Sequence, residues 1–247
     1  MKLWFKLLIL AVLTIWAAVA TLPDNYLHVV FCNVGQGDAT LIYKGTNQLL
    51  VDGGPDDKVL DCLSRHMPFY DRRVEAVVLT HDNSDHSKGL TYVAQRYSSL
   101  YFEPKLVSGN MVKIGQLKYK VIWPDARVSG TDTISTDNNL GIVGEITYGN
   151  FRVLMAADTA TENYNPEPGI SVLKVPHHGS QTGITKQWIE EARPGLAVIS
   201  VGKGNRYGQP SPDVMSWLAE AGVKTMRTDT EGEVEVVSDG KKWWIRK

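Results

Sequence analysis

The stretch VEAVVLTHDNSDH, residues 74–86, constrains the fold more than any other part of the chain. Residues 74–80 are almost continuously apolar and rich in β-branched side chains, as expected of a strand covered on both faces. The next six hold two histidines and two aspartates, His81, Asp82, Asp85 and His86. A buried strand that runs into a polar cluster is how sheet-and-helix proteins gather their chemistry, at the carboxyl ends of strands.

The pattern recurs. HVVFCNV, ATLIYKG and QLLVDGG read as short strands bounded by Gly and Asn, the last reaching Asp52. IVGEITYGNFRVLMAAD reads as a hairpin around Gly149 and Asn150 that ends at Asp158. ISVLKVP ends at His177 and His178, and LAVISVG runs into GKGNRYGQPSP. Residues 57–65, 86–96 and 212–223 have helical spacing, and the tail from residue 225 is again strand-like. No linker or repeat interrupts the series. The layout predicts two mixed sheets between helices, an α/β sandwich in one domain over residues 23–247.

Residues 1–22 stand apart. Lys2 and Lys6 precede sixteen uncharged residues, 7–22. A positive start followed by an apolar run directs a chain into or across a membrane. Ala18, Val19 and Ala20 fit the small-x-small rule for a signal peptide cleaved after Ala20. Residues 3–22 also suffice for an uncleaved anchor. Either reading places the rest of the chain outside the cytoplasm. A net charge of −1 gives no basic surplus, so contact with nucleic acid needs a local patch. The two cysteines, Cys32 and Cys62, are too few for a disulfide framework and read as packing or free thiols.

His81, Asp85 and His86 offer imidazole and carboxylate donors that suit zinc, manganese or iron. Asp158 could bridge two ions, and His177 or His178 could add a ligand from the next strand end. Each of these has a plain structural reading in isolation. Their recurrence at successive strand ends favours a metal site.

In order along the chain, FCNVGQGDATLIYKGTNQLLVDGG, LTHDNSDHSKGL, VLKVPHHGSQTG and AVISVGKGNRYGQPSP resemble the metallo-β-lactamase-fold domain of the ComEC competence protein family and its stand-alone relatives. The resemblance covers residues 27–240. It implies an αββα sandwich of the metallo-β-lactamase type with the metal site at one edge. It implies His81, Asp85, His86 and Asp158 as ligands, with His178 favoured over His177 as the fifth, and Asp85 and His178 as catalytic residues. Asp38 and Asp52 would be supporting acids that orient ligands. The implied cofactor is zinc or manganese, one or two ions, with no organic cofactor. The implied substrate is a phosphodiester, single- or double-stranded DNA, and the implied partner a competence membrane channel. Lys88, Lys203, Arg206 and Tyr207 could grip a nucleic-acid strand, or lie on solvated loops.

The chain departs from the family pattern at Asn33, Asn83, Gly141, Ala157 and Gln209, where that branch carries Asp, His or Asp, Ser, Gly and His. Asn83 and Gln209 are the substitutions most able to alter a metal site. Three functions therefore stay open: a metal-dependent hydrolase with one or two ions, a metal-poor module that binds DNA or a partner, and a hydrolase of small esters or lactones.

Overall fold

The computed structural model describes residues 3–20, 23–102, 106–126, 137–165 and 168–246. Helix α1 spans Leu3–Ala20, and its apolar side chains from Leu3 to Leu13 are exposed. Its described side chains stop at Thr14, and among the described residues no helix is long and apolar enough to cross a membrane. The expected end of the N-terminal segment, residues 21–22, lies outside the described residues.

From there the chain lays down β1 (Leu27–Phe31), β2 (Thr40–Lys44), β3 (Asn47–Val51) and α2 (Lys58–His66). Next come β4 (Arg73–Val78), α3 (Ser84–Arg96), β5 (Ser98–Phe102), β6 (Met111–Ile114) and β7 (Leu117–Trp123). A hairpin of β8 (Val143–Tyr148) and β9 (Phe151–Met155) leads to β10 (Val172–Lys174) and α4 (Lys186–Ala192). The remainder is β11 (Leu196–Ile199), α5 (Pro212–Glu220), β12 (Lys224–Arg227), α6 (Thr228–Glu231), β13 (Val234–Ser238) and β14 (Trp243–Arg246).

Two seven-stranded sheets result, ordered β14-β13-β1-β2-β3-β4-β5 and β12-β11-β10-β9-β8-β7-β6. Both are mixed: β3 to β5 and β9 to β12 pair in parallel, the rest antiparallel. Strand periodicity builds the layers. In β1, Leu27, Val29 and Phe31 point into the core between the sheets, where they join Tyr119, Val121 and Val198. Val30 and Cys32 point the other way, onto Val59 and Leu63 of α2 and Leu90 and Val93 of α3. Trp188 and Ile189 of α4 and Val214 and Leu218 of α5 cover the second sheet. Each large apolar side chain so buried stabilises the fold by roughly 1.5–3 kcal/mol. The architecture is the expected αββα sandwich.

Cys32 and Cys62 are a correction. They form a disulfide, with Cα atoms 5.8 Å apart, and are not free thiols. Cys32 follows β1 on its helix-facing side, and Cys62 lies on the buried stripe of α2 with Val59 and Leu63. Packing α2 across the sheet joins two residues 30 positions apart, a contact local patterning does not reveal. A cross-link closing a loop of that size stabilises by about 3–4 kcal/mol. Replacing both cysteines by alanine is expected to lose about that much, read as a fall in the denaturant midpoint that a reducing agent does not deepen.

Candidate metal centre

Loops from both sheets meet at one edge: those after β1, β3 and β4 in the first, and after β9, β10 and β11 in the second. Glycines let them approach. The Gly53 amide donates to the His86 carbonyl at 2.7 Å, the Gly89 amide to Gly54 at 2.8 Å, and the Asp38 amide to Asp85 at 3.0 Å. The first turn of α3 is thereby sewn onto two loops. A Cβ on Gly89 would stand 1.8 Å from the Gly53 carbonyl oxygen, and one on Gly37 2.3 Å from that of Asp85. Backbone strain gathers here too. Asp52, Ala157, His177 and His178 all adopt left-handed φ, between 47° and 60°. Non-glycine residues in that region cluster where the surroundings force them, at ligand clamps and active sites.

These loops deliver Asp85, His86, Asp158 and His178 to one point, with one donor atom of each within 4.8 Å of the others. His86 Nε2 is 3.4 Å from Asp158 Oδ1, and His178 Nε2 is 3.3 Å from Asp85 Oδ2 and 3.7 Å from Asp158 Oδ2. His81 approaches from the side, Nε2 3.9 Å from Asp158 Oδ2, its ring tilted over His86 with centroids 4.1 Å apart.

The far nitrogens are all held. His178 Nδ1 donates to the Ser200 carbonyl at 2.9 Å and His86 Nδ1 to Asp52 Oδ2 at 2.9 Å. Thr80 gives its hydroxyl proton to Asp52 at 2.8 Å and so accepts from His81 Nδ1 at 3.0 Å. These partners assign the tautomers and turn all three Nε2 atoms inward. Those three nitrogens and Asp158 Oδ1 are buried without a hydrogen-bond partner. An unmet buried polar atom costs about 1–3 kcal/mol, so four converging ones fit a cation, and the donor set is of the type that takes zinc or manganese.

Without a cation, the carboxylates draw protons instead. Burial opposes charge on His86 and His178, but the carboxylates together outweigh it, Asp158 with Asp52 holding His86 well above the usual imidazole range and Asp158 with Asp38 and Asp85 raising His178 to about 10. Burial, with the charge of His86, pushes His81 down to about 4. Burial would raise Asp158, yet His86 and His178 hold it well below the usual carboxylate range.

The other candidates divide. Asp38 and Asp52 form a second group with His86. His177 stands at the rim, Nε2 3.8 Å from Asp158 Oδ2, and takes a 3.4 Å hydrogen bond from Asn138. Asn83 precedes α3 and donates to Asn138 Oδ1 at 2.7 Å. Gln209 donates to the His177 carbonyl at 3.1 Å and accepts from Gln36 at 2.8 Å, so both ends of its amide bind loops together. Lys88 and Lys203 are exposed. Arg206 and Tyr207, also exposed, pair with each other, the guanidinium 5.1 Å from the ring centroid. Asn33 is exposed and caps the turn at Gly35. Gly141 lies under Thr159, whose hydroxyl a Cβ there would meet at 3.0 Å.

Sequence reasoning missed Lys174, which is buried and paired with Asp38. Its signal was a lone lysine in the apolar run ISVLKVP, since lysine is almost never fully buried unless paired. Elsewhere, a cleft of about 580 Å³ beside His28, Tyr43 and Phe69 is separate from the strand-end cluster. There His28 is held between Asp24 and Glu235, both at 2.7 Å.

No family model matches the chain. It is 25% identical over 195 residues to ComE operon protein 3 of Bacillus subtilis, covering 66% of this chain and 24% of that protein. It is 25% identical over 232 residues to competence protein ComA of Neisseria gonorrhoeae, covering 86% of this chain and 32% of that one. The chain thus spans about a quarter to a third of the length of these curated relatives. The metallo-β-lactamase fold protein YhfI from Bacillus subtilis superposes with a TM-score of 0.55 at 14% identity, over 85% of this chain and 99% of that one, which shows a shared fold.

Proposed function

We propose that this chain, which has the metallo-β-lactamase fold and resembles competence proteins in sequence, is a metal-dependent hydrolase that cleaves phosphodiesters such as DNA outside the cytoplasm. The observation that carries the reading is the convergence of three buried, unpartnered Nε2 atoms and Asp158 Oδ1 beside Asp85. Asp85, His86, Asp158 and His178 would hold a zinc or manganese ion, with His81 facing Asp158 from the side. Such an ion, when bound, lowers the pKa of water to near neutrality and polarises a phosphoryl oxygen.

The residues of the chain supply the rest. Asp85 is the half-exposed member, its side chain 32% accessible against 2–3% for His178 and Asp158. Burial would raise Asp85, but His178, whose Nε2 lies 3.3 Å from Asp85 Oδ2, and the charge of His86 hold it below its usual range in the metal-free chain. It stands at the mouth of the site, where its carboxylate would hold the ion and accept a hydrogen bond from an attacking water, orienting it. Asp52 and the Ser200 carbonyl keep His86 and His178 in their tautomers. Lys88, Lys203 and the stacked Arg206–Tyr207 pair are proposed to bind the strand, by charge on phosphate and by stacking under a base.

The Cys32–Cys62 disulfide supports an oxidising, extracytoplasmic location, as does the apolar N-terminal segment, read as a signal peptide or anchor. The proposed partner there is a competence membrane channel.

Loading the ion has a proton signature. His86 and His178 are charged at pH 7 in the metal-free chain and must be neutral to ligate, so binding is expected to release about two protons per ion. Both groups are raised above the unfolded value. Their contribution to metal-free stability is therefore full below pH 6.5 and is lost as pH rises toward about 10 through His178. Dye-monitored proton release on adding zinc checks the first statement, and urea midpoints between those pH values check the second.

The activity test is cleavage of labelled single- and double-stranded DNA by the full chain loaded with manganese or zinc. Hydrolysis is expected, falling at least about 100-fold in His86→Ala. A metal-loaded protein that cleaves neither DNA would overturn the phosphodiester assignment.

A further inference from the structure

We propose that Lys174 is a positioning residue whose ammonium serves as a built-in second cation: it closes the Asp38–Asp52–His86 group, so that the centre takes a single divalent ion, at Asp85–His86–Asp158–His178. The inference rests on the metal-hydrolase reading and specifies how many ions that site accepts.

Two donor groups share His86. Its Nε2 faces Asp158 in the first, and its Nδ1 faces Asp52 at 2.9 Å and Asp38 at 3.9 Å in the second. Within the second group Asp52 is already satisfied, whereas neither Asp38 oxygen has a hydrogen-bond partner. Asp52 Oδ1 accepts the Thr80 amide at 2.8 Å, and Asp52 Oδ2 accepts both the Thr80 hydroxyl and His86 Nδ1. A second ion would have to displace the hydrogen bond that fixes the His86 tautomer.

Asp38 is the remaining acid, and the Lys174 ammonium lies against its Oδ2. Lys174 is 1% exposed, ends β10, and also donates to the Ala157 carbonyl at 3.0 Å. A buried ammonium is tolerated only when a carboxylate compensates it, so the two charges hold each other in place. The cavity they share with Asp52 and Thr80 is about 10 Å³, at the lower limit for one water.

Asp38 in turn stands 3.5 Å from His178 Nδ1. Lys174 thus bears on both imidazoles of the first group through Asp38, and on Asp158 through the carbonyl of its neighbour Ala157. Its role is to keep the donor atoms in register without touching the ion.

The test counts ions. The metal-free full chain is dialysed against excess zinc or manganese, and bound metal is measured per chain by elemental mass spectrometry. One ion per wild-type chain is expected. Two ions would overturn the inference and leave the metal reading standing, whereas none in a folded chain overturns both. Lys174→Ala, which removes the ammonium and opens space beside Asp38 and Asp52, is expected to take up a second ion. Wild-type stoichiometry and affinity in that variant overturn the inference. If Lys174→Ala fails to fold, the double variant Lys174→Met with Asp38→Asn decides, since it leaves no buried charge unpaired. It is expected to take up one ion more weakly than the wild type, because the pair that keeps His86 and His178 in register is gone while the amide at position 38 offers a second ion no charge. Wild-type affinity, or a second ion, overturns the inference.

Discussion

Asp158→Asn is expected to weaken zinc or manganese binding by at least about 100-fold while leaving the fold intact. Asp158 is the carboxylate the imidazoles have in common, lying 3.9 Å from His81, 3.4 Å from His86 and 3.7 Å from His178. It is also the charge that most raises His86 and His178 against burial. The amide keeps the shape and removes the charge, so it separates electrostatics from packing. Without that charge the two imidazoles give up their protons more readily, which spares the metal-free chain most of the strain of two uncompensated cations. Calorimetric titration reads the affinity, and circular dichroism checks the fold. Unchanged affinity would mean that the four donors converge for structural reasons.

Gly89→Ala is expected to lose about 3 kcal/mol or more of stability, and to lose metal binding with it. Alanine normally favours a helix interior over glycine, so propensity alone predicts the opposite sign. Local geometry decides, because the new Cβ would stand 1.8 Å from the Gly53 carbonyl and 2.8 Å from that of Asp56. Both are backbone atoms on a loop that Gly53 N and Gly89 N tie to α3, so relief means moving the first turn of the helix. His86 lies in that turn, three residues before Gly89, and would leave Asp158. Urea unfolding and a metal titration on the same preparation would test both statements. A rise in stability would show that α3 is free to slide.

What could be read in advance follows from where the information lies. The site was legible because its parts are local: each of the runs QLLVD, VVLTH, LMAAD and LKVPHH is a buried strand whose next polar residue faces the edge. The layers of helix on sheet were legible from the helical spacing of residues 57–65, 86–96 and 212–223 and from the continuous apolar strands. β6 and β7 carry no such signal. They alternate buried Val112, Ile114, Leu117 and Tyr119 with exposed Met111, Lys113, Lys118 and Lys120, so they lack the continuous apolar character of the central strands. Helix α3 begins at Ser84 and not at His86, because Asn83 is the last extended residue.

The remaining differences are contacts between distant segments. The disulfide depends on α2 lying across β1. Lys174 depends on the loop after β1 folding back to present Asp38. Asn83 and Gln209 looked like altered ligand positions by resemblance, yet their amides reach Asn138 in the one case and Gln36 and the His177 carbonyl in the other. Sequence spacing fixed which loops carry polar residues. Only the packing of two sheets settled which atoms of those residues meet.

Whether the strand-end cluster is a metal site is decided by the affinity of the full, folded chain for zinc and manganese at neutral pH, with Asp158→Asn alongside. Saturable binding by the wild type is expected, accompanied by proton release and at least about 100-fold weaker in the variant. A correctly folded wild type that binds neither metal at any concentration up to its solubility would contradict the assignment of a metal site.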